Sequence, residues 1–502
     1  MLSALIWLPL LSAVFLVFLP QTIPSKIIRQ ISLGITVGVL ILSLIIAFQF
    51  KAEDAGFQFS EFIPWIESLG LTYKLGVDGL SLPLVVLNSL LTCIAIYSSE
   101  ESINRPRFYY ALLLVLNASV TGAFVAQDLL LFFLFYEVEL IPLYLLIAIW
   151  GGQRRGYAAT KFLIYTAISG ILILASFFGL VLISGSSTFE TEQLYATSLP
   201  LATQLLLLSG LLVGFGIKIP LVPFHTWLPD AHVEASTPIS VLLAGVLLKL
   251  GTYGLLRFGL GLFPEAWAVV APWLASWAVV SVLYGAFNAI AQKDIKKMVA
   301  YSSVGHMGYI LLAAAAATPL SIIGAVFQMV SHGLISAMLF LLVGVVYKKA
   351  KTRDLDALEG LLNPERGLPM IGSLMVLGVM ASAGIPGMVG FISEFLIFRG
   401  SYPVFPTQTL LSMIGTGLTA VYFLLLVNRA FFGRLSKQVE NMPPVQWSDR
   451  IPAIILAVLI VAFGLQPNWL LRWSEPTMTA MMAKSSAIAH VMSVVSSSEN
   501  LP

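Results

Sequence analysis

Six ionisable side chains stand near the middle of long apolar runs in this 502-residue sequence: Glu137, Lys218, Lys249, His306, His332 and Glu394. A charge at the bilayer centre costs at least about 2.5–3.5 kcal/mol on insertion scales, so such residues face partners or water and mark ion or proton pathways. Glutamate, lysine and histidine are also the types that exchange protons. An ammonium and a carboxylate about 4 Å apart attract by roughly 4 kcal/mol at an effective dielectric of about 20. Parting such a pair is comparable with the ~2.3 kcal/mol that moves one charge through about 100 mV. Protonation along a row of such groups is coupled, so the row acts as a unit. Proton transfer inside a membrane is the chemistry these types and depths support.

Each residue also has a plainer reading. Glu137 and Lys218 would form a structural ion pair only. Lys249 would snorkel or satisfy a carbonyl, although it is too deep in its span for easy snorkelling. Glu394 would cap a half-helix, and His306 and His332 would simply be hydrogen-bonded inside the bundle. Glu139 is two residues from Glu137, about 200° round a helix, so it is expected to face elsewhere and contact a neighbouring helix. Asp128, at a helix start, reads as an N-cap. His225, Asp230 and His232 match no usual metal-ligand spacing and are read as loop hydrogen bonding.

The elements that must position these groups follow from composition. Hydrophobic residues make up 58% of the chain and charged residues only 10%, with a net charge of +2. Soluble domains carry roughly a quarter charged residues. Disorder, coiled coil and nucleic-acid binding are excluded on the same grounds. Cys93 is the only cysteine, which removes a disulfide framework, a Cys-rich zinc site and a thiolate-held iron–sulfur cluster. No phosphate-cradling glycine motif is present. No cofactor or metal is therefore expected in this chain. The sequon at Asn117 lies in an apolar run and reads as chance, and residues 2–20 as a retained span.

Apolar runs predict an all-α polytopic membrane protein with about 14 transmembrane helices. They lie near 2–20, 30–50, 79–99, 108–126, 128–150, 162–184, 201–231, 239–259, 266–291, 298–317, 319–347, 368–400, 406–432 and 450–473. The seventh and twelfth are too long for one straight helix. Lys218-Ile-Pro220-Leu-Val-Pro223 breaks one and Gly384-Ile-Pro386-Gly387 the other, since proline removes a donor and clashes with the preceding turn. Irregular backbone at this depth must be satisfied by protein or a wet cavity.

The two breaks fall fourth in each of two five-helix units, helices 4–8 and 9–13, and an odd-numbered unit repeated once is inverted. Inverted repeats with discontinuous helices place ion sites at the breaks. The expected division is a three-helix segment over 1–107, the first repeat over 108–260, the second over 261–435, and a C-terminal helix and tail over 436–502. Loops on one side hold 19 of the 27 Lys and Arg residues and the other side six. The positive-inside rule puts the richer side in the cytoplasm or stroma and both termini opposite.

Several stretches carry a family resemblance. Phe135-Tyr-Glu137-Val-Glu139-Leu-Ile-Pro142-Leu-Tyr144 resembles the helix-5 motif of the antiporter-like subunits of respiratory complex I. Lys218-Ile-Pro-Leu-Val-Pro-Phe-His225-Thr-Trp227-Leu-Pro-Asp230-Ala-His232 is similar to that family's broken-helix motif. The stretches at Leu248–Gly254, Asp294–Gly308 and Gly384–Phe395 extend the likeness over roughly residues 75–435. The resemblance implies a proton-translocating subunit in which Glu137 and Lys218 are the coupled pair, Lys249, His306 and His332 a lateral relay, and Glu394 the terminal exchange group.

Glutamate at position 394 is typical of the family's chain 4, where other antiporter-like subunits and the multisubunit sodium/proton antiporters usually carry lysine. Trp150-Gly-Gly-Gln-Arg-Arg-Gly-Tyr and the paired glutamates look like the cyanobacterial and chloroplast chain 4 of NAD(P)H-quinone oxidoreductase. That likeness implies a thylakoid setting, cyanobacterial before chloroplast, with plastoquinone, ferredoxin or NAD(P)H and iron–sulfur clusters in partner subunits. It also implies antiporter-like membrane neighbours and lipids as partners. Phe135-Tyr136 before Glu137 and Ala167-Ile-Ser-Gly170 lean toward the version serving carbon dioxide uptake, with its hydrophilic subunits. A subunit of a sodium/proton antiporter and an idle scaffold remain as alternatives.

Overall fold

The structure is a computed structural model describing residues 1–194, 196–363, 368–436 and 442–499, with side chains described to residue 483 apart from Thr197. Of the 19 basic residues on the richer side, Arg366 and Lys437 lie outside the described residues, as does the side chain of Lys484 on the other side.

The chain begins with two apolar helices, α1 (Leu2–Phe18) and α2 (Ser25–Gln49), then a feature the apolar runs do not announce. Between them and α3 (Leu82–Ser98) lies an antiparallel hairpin of β1 (Gln58–Ile66) and β2 (Leu71–Val77), with Phe62 opposite Lys74 and Ile63 opposite Tyr73. Helices α4 (Pro106–Val125), α5 (Leu129–Val138), α6 (Leu140–Trp150) and α7 (Arg155–Ser184) follow. Asp128 caps α5 by accepting from the amides of Leu130 and Leu131, which satisfies donors that a helix start leaves free.

The first broken element consists of α8 (Leu201–Lys218) and α9 (Trp227–Glu234). Next come α10 (Thr237–Leu242) and α11 (Leu248–Gly254), joined and followed by π-helical stretches at Leu243–Leu247 and Leu255–Leu260. This run from Thr237 to Leu260 is buried throughout its apolar window, so it forms the axis around which the other helices pack. Helices α12 (Pro264–Ile290), α13 (Ile295–Ala316) and α14 (Pro319–Ala350) continue the bundle. The second broken element is α15 (Pro369–Ser382) and α16 (Val389–Ser401), followed by α17 (Pro406–Ala430), α18 (Trp447–Leu465) and α19 (Asn468–Glu499). Proline stands in the first turn of α3, α4, α12, α14, α15 and α17, where its missing donor costs nothing and its fixed φ suits a helix start.

Among the described residues, 11 helices are long and apolar enough to cross a membrane, and the shorter Leu2–Phe18, Leu82–Ser98 and Pro369–Ser382 are also apolar. The chain is a multi-pass membrane protein. The last expected span, 450–473, divides instead at Gln466-Pro467, where α18 ends and α19 starts.

Candidate proton-transfer site

Lys218 is the last residue of α8 and is buried. Beyond it the helical ladder stops, and the groups that the break frees are taken up by side chains, as membrane depth demands. Trp227 Nε1 donates to the Ile217 carbonyl at 2.9 Å, Trp277 Nε1 donates to the Val222 carbonyl, and the Val222 amide donates to Ser281 Oγ at 3.2 Å. The break is thus fixed by protein contacts and holds the lysine at a defined depth.

The Lys218 ammonium donates to Glu139 Oε1, not to Glu137. This corrects two expectations: Glu139 does not face away from the site, and Lys218 is paired with the second glutamate of helix 5. The physical reason lies in the helix itself. The α-helical ladder is interrupted at Glu139, between α5 and α6. Tyr136 and Glu139, three residues apart, share a face, and the Lys218 ammonium lies 4.9 Å from the Tyr136 ring centroid, a cation–π distance. Tyr136 itself is pinned, its hydroxyl 3.0 Å from Ser169 Oγ, which donates to the Gly214 carbonyl at 2.7 Å.

Glu137 is half-buried and points at α7. Its Oε1 is enclosed with no hydrogen-bond partner and occupies the space above Gly170, where an added Cβ would sit 2.0 Å from that oxygen. Gly170 therefore makes the place in which the carboxyl sits. Residue types and spacing give no sign of this role for Gly170.

Lys249 lies on α11 and is fully buried. Its ammonium donates to the Ala244 carbonyl in the first π-helical stretch at 2.5 Å and is 2.7 Å from His332 Nδ1. A lysine ammonium only donates, so Nδ1 accepts and the imidazole proton resides on Nε2. That Nε2 has no partner among the protein atoms. It lines a cavity shared with His306, Gln328, Ser331, Ser382 and Glu394, large enough for about one water molecule.

On the far side of this cavity the His306 ring lies 5.5 Å from His332, centroid to centroid. His306 Nδ1 donates to the Ser302 carbonyl at 2.8 Å, which leaves Nε2 facing the second break. There the Ser382 carbonyl is 3.4 Å away, the Ser382 hydroxyl 3.5 Å and Glu394 Oε1 3.9 Å. Thr416 Oγ1 donates to Glu394 Oε2 at 2.8 Å, and the Tyr309 hydroxyl is 3.2 Å from Thr416. The structure thus brings Lys249, His332, His306 and Glu394 into one cluster and Lys218, Glu139 and Tyr136 into a second, with Glu137 set apart over Gly170. The two meet where Gly251 of α11 admits Lys218: a Cβ at Gly251 would stand 3.2 Å from Lys218 Cβ.

His232 departs from the loop hydrogen bonding expected of it. It lies inside α9, fully buried, stacked on Phe340 at 4.3 Å, and neither ring nitrogen has a partner. The Phe340 ring of α14 makes this a hydrophobic contact. His225 meets the Tyr284 ring edge-on at 5.0 Å, and Asp230 pairs with Lys161 at 2.8 Å.

A bundle with two broken helices and a buried row of lysine, histidine and glutamate defines an antiporter-like membrane subunit. Residues 126–420 match the family described as NADH:quinone oxidoreductase/Mrp antiporter, TM, and the chain belongs to that family. Within it the chain is of the chain 4 type. It is 43% identical over 451 residues to NAD(P)H-quinone oxidoreductase chain 4-2 of Synechocystis sp., covering 88% of this chain and 79% of the relative. It is likewise 43% identical to chain 4-3 of Nostoc sp., covering 88% and 80%. Among solved structures, a chain of respiratory complex I from Thermus thermophilus superposes with a TM-score of 0.87 at 27% identity, covering 96% of this chain and 99% of that one. A chain of the Mrp complex from Dietzia sp. has the same fold, with a TM-score of 0.85 at 22% identity over 97% and 99%.

Proposed function

We infer that the chain is a proton-translocating membrane subunit of an NAD(P)H-quinone oxidoreductase of the complex I kind, in which redox chemistry in other chains drives proton movement through Glu137, Lys218, Lys249, His332, His306 and Glu394. One observation carries this reading: side-chain contacts run from Lys249 through His332 and a polar cavity to His306 and Glu394, inside a bundle broken at both ends of the row. His332 suits a relay step. As Nδ1 takes a proton from Lys249, the N–H bond at Nε2 breaks and the proton leaves into the cavity, where His306 Nε2 and Glu394 are the acceptors within it. Thr416 holds Glu394 in place for exchange with the next group along.

The proposal extends further by resemblance. Plastoquinone, ferredoxin or NAD(P)H and iron–sulfur clusters belong to partner subunits, antiporter-like chains and lipids flank this one, and the setting is a cyanobacterial thylakoid with both termini in the lumen. Helices 4–8 and 9–13 form the inverted repeats, over 108–260 and 261–435. Phe135-Tyr136-Glu137 and Ser169-Gly170 favour the version serving carbon dioxide uptake, which co-purification of hydrophilic uptake subunits tests directly. Identities of 43% to chains named NAD(P)H-quinone oxidoreductase favour this reading over a sodium/proton antiporter.

Proton uptake by membrane vesicles carrying the assembled complex tests the central claim. Lys218→Met and Glu394→Gln are expected to abolish uptake while the complex still assembles, and Glu137→Gln is expected to fail in complementing a deletion. Normal pumping in these variants would reduce the chain to a scaffold, and strict sodium dependence would move it to the antiporters.

A further inference from the structure

We propose that Glu139 is a second, alternating partner of Lys218, so that helix 5 carries a two-carboxylate switch and not a single ion pair. The inference rests on the proton-transfer reading above and assigns the residue which that reading leaves idle. One buried ammonium, Lys218, is bonded to the buried carboxylate of Glu139, and the half-buried carboxyl of Glu137 lies two positions away on the same helix. Away from water, an unpaired charge is far more costly than a paired one. One cation neutralises one carboxylate, and two like charges sharing a site do not both stay ionised, so the other carboxyl carries a proton. The structure captures one of the two arrangements. Lys218 is bonded to Glu139 Oε1, while Glu137 Oε1 has no partner and rests in the space made by Gly170.

The surroundings let the lysine serve either acid. It is the final residue of α8, its stem packed at Gly251 and its ammonium reaching the Tyr136 ring. The Tyr136 ring, whose face holds the ammonium, neighbours Glu137 in sequence and Glu139 one turn on. The charged or titratable groups around the ammonium are Tyr136, Glu137 and Glu139 from helix 5, with Lys249 two residues before Gly251 on α11. Among the described residues no other anion pairs with it.

The exchange balances within the three side chains. Lys218 gives a proton to Glu139, breaking one N–H bond and forming one O–H bond. The neutral amine then takes the proton of Glu137, whose O–H bond breaks as N–H re-forms. Lys218 ends as an ammonium beside a Glu137 carboxylate, and the proton has moved from Glu137 to Glu139. The proton and the pairing change together, so a change at the lateral face of Glu137 is felt at the base of the broken helix.

The assembled complex in membrane vesicles tests this with two readouts: proton uptake per electron delivered to quinone, and turnover-induced infrared difference spectra in the carboxyl C=O region. The expected wild-type spectrum contains one carboxyl signal gained and one lost. Glu139→Gln is expected to remove the gained signal and lower uptake by about tenfold or more, roughly 1.4 kcal/mol in the barrier, and Glu137→Gln to remove the lost signal. Glu139→Asp keeps the charge with one methylene less reach. It is expected to restore the signal with intermediate uptake, and it carries the test should Glu139→Gln fail to assemble. Wild-type uptake or an unchanged pair of signals in Glu139→Gln, alongside blocked Lys218→Met and Glu137→Gln, overturns the switch and leaves the proton-transfer reading standing. Normal uptake in all three overturns both.

Discussion

Replacing Gly170 by alanine probes the site with a single methyl group. The added carbon would lie 2.0 Å from Glu137 Oε1, 2.6 Å from its Cδ and 3.1 Å from Oε2. An ordinary carbon contact is about 3.5 Å, so the carboxyl must retreat by about 1.5 Å. The obstructed atoms are the end of a flexible side chain, which places the folding cost near the lower end of the roughly 1–3 kcal/mol range for overpacking. The functional cost should be much larger, because a misplacement of about 1 Å at a reacting group can cost on the order of a hundredfold in rate. Gly170→Ala is therefore expected to assemble normally and lose most of its proton uptake, measured by fluorescence quenching in inverted vesicles with quinone reduction followed in parallel. Combining it with Glu137→Asp, which withdraws the carboxyl by one methylene, should recover part of the uptake. Wild-type uptake in Gly170→Ala, or no recovery in the double variant, would refute the claim that this glycine sets the position of Glu137.

Thr416→Val removes the hydroxyl that donates to Glu394 Oε2. Leaving a buried acceptor without its donor costs about 1–3 kcal/mol, so uptake should fall by roughly tenfold to a hundredfold with assembly intact, whereas Thr416→Ser should behave nearly as wild type. Trp277→Phe takes away the donor to the Val222 carbonyl at the first break and should lower the thermal stability of the complex by a similar free energy before it changes the rate. Outside the membrane, burial pushes Lys74 of the hairpin down, but its hydrogen bonds to Glu192 at 2.7 Å and Glu190 at 3.0 Å outweigh this and hold it above the usual lysine value. A raised folded-state value means that this tie is fully present below the ordinary lysine range and is lost as pH rises through the raised value. Melting curves at alkaline pH should therefore converge for wild type and Lys74→Met and differ near neutrality; equal melting temperatures at neutral pH would show that the tie contributes nothing.

Much of this architecture is legible in one dimension because a membrane imposes a one-dimensional rule. A span must be apolar for about 20 residues, so Pro220, Pro223, Gly384 and Pro386 stand out as interruptions and Lys249 as a charge out of place. What is not legible depends on rotation and on neighbours. Counting 100° per residue sends Glu139 away from Glu137, which is true of the backbone and says nothing of where Lys218 will be. The ladder interruption at Glu139 and the π-helical stretches around α11 leave no signature in residue types. Gly170 and Gly251 matter through what fills the space a side chain would have taken, Glu137 in one case and Ile219 with the Lys218 stem in the other, and no spacing rule encodes that. The hairpin at 58–77 is hidden for a simpler reason: Phe59, Phe62 and Ile63 are apolar but too few to stand out against the spans.

The two clusters differ in how they are joined inside and in how they are joined to each other. From Lys249 to Glu394 each side chain reaches the next directly or across one small cavity, so the proposed relay needs no backbone movement there. Between Lys218 and Lys249 there is no such link. Each ammonium is engaged with a different partner, Glu139 for one, Ala244 and His332 for the other, although their helices touch at Gly251. Two lysines held apart by separate partners do not exchange a proton while both pairs are closed. Passage from one cluster to the other requires Lys218 to leave Glu139, and the free energy of that separation is comparable with what one charge gains in crossing a membrane potential. On the proposed proton-transfer reading, the non-bonded junction is where energy released elsewhere acts: a relay bonded along its whole length would leak protons down their gradient, and one interrupted at a single ion pair opens only when that pair is opened.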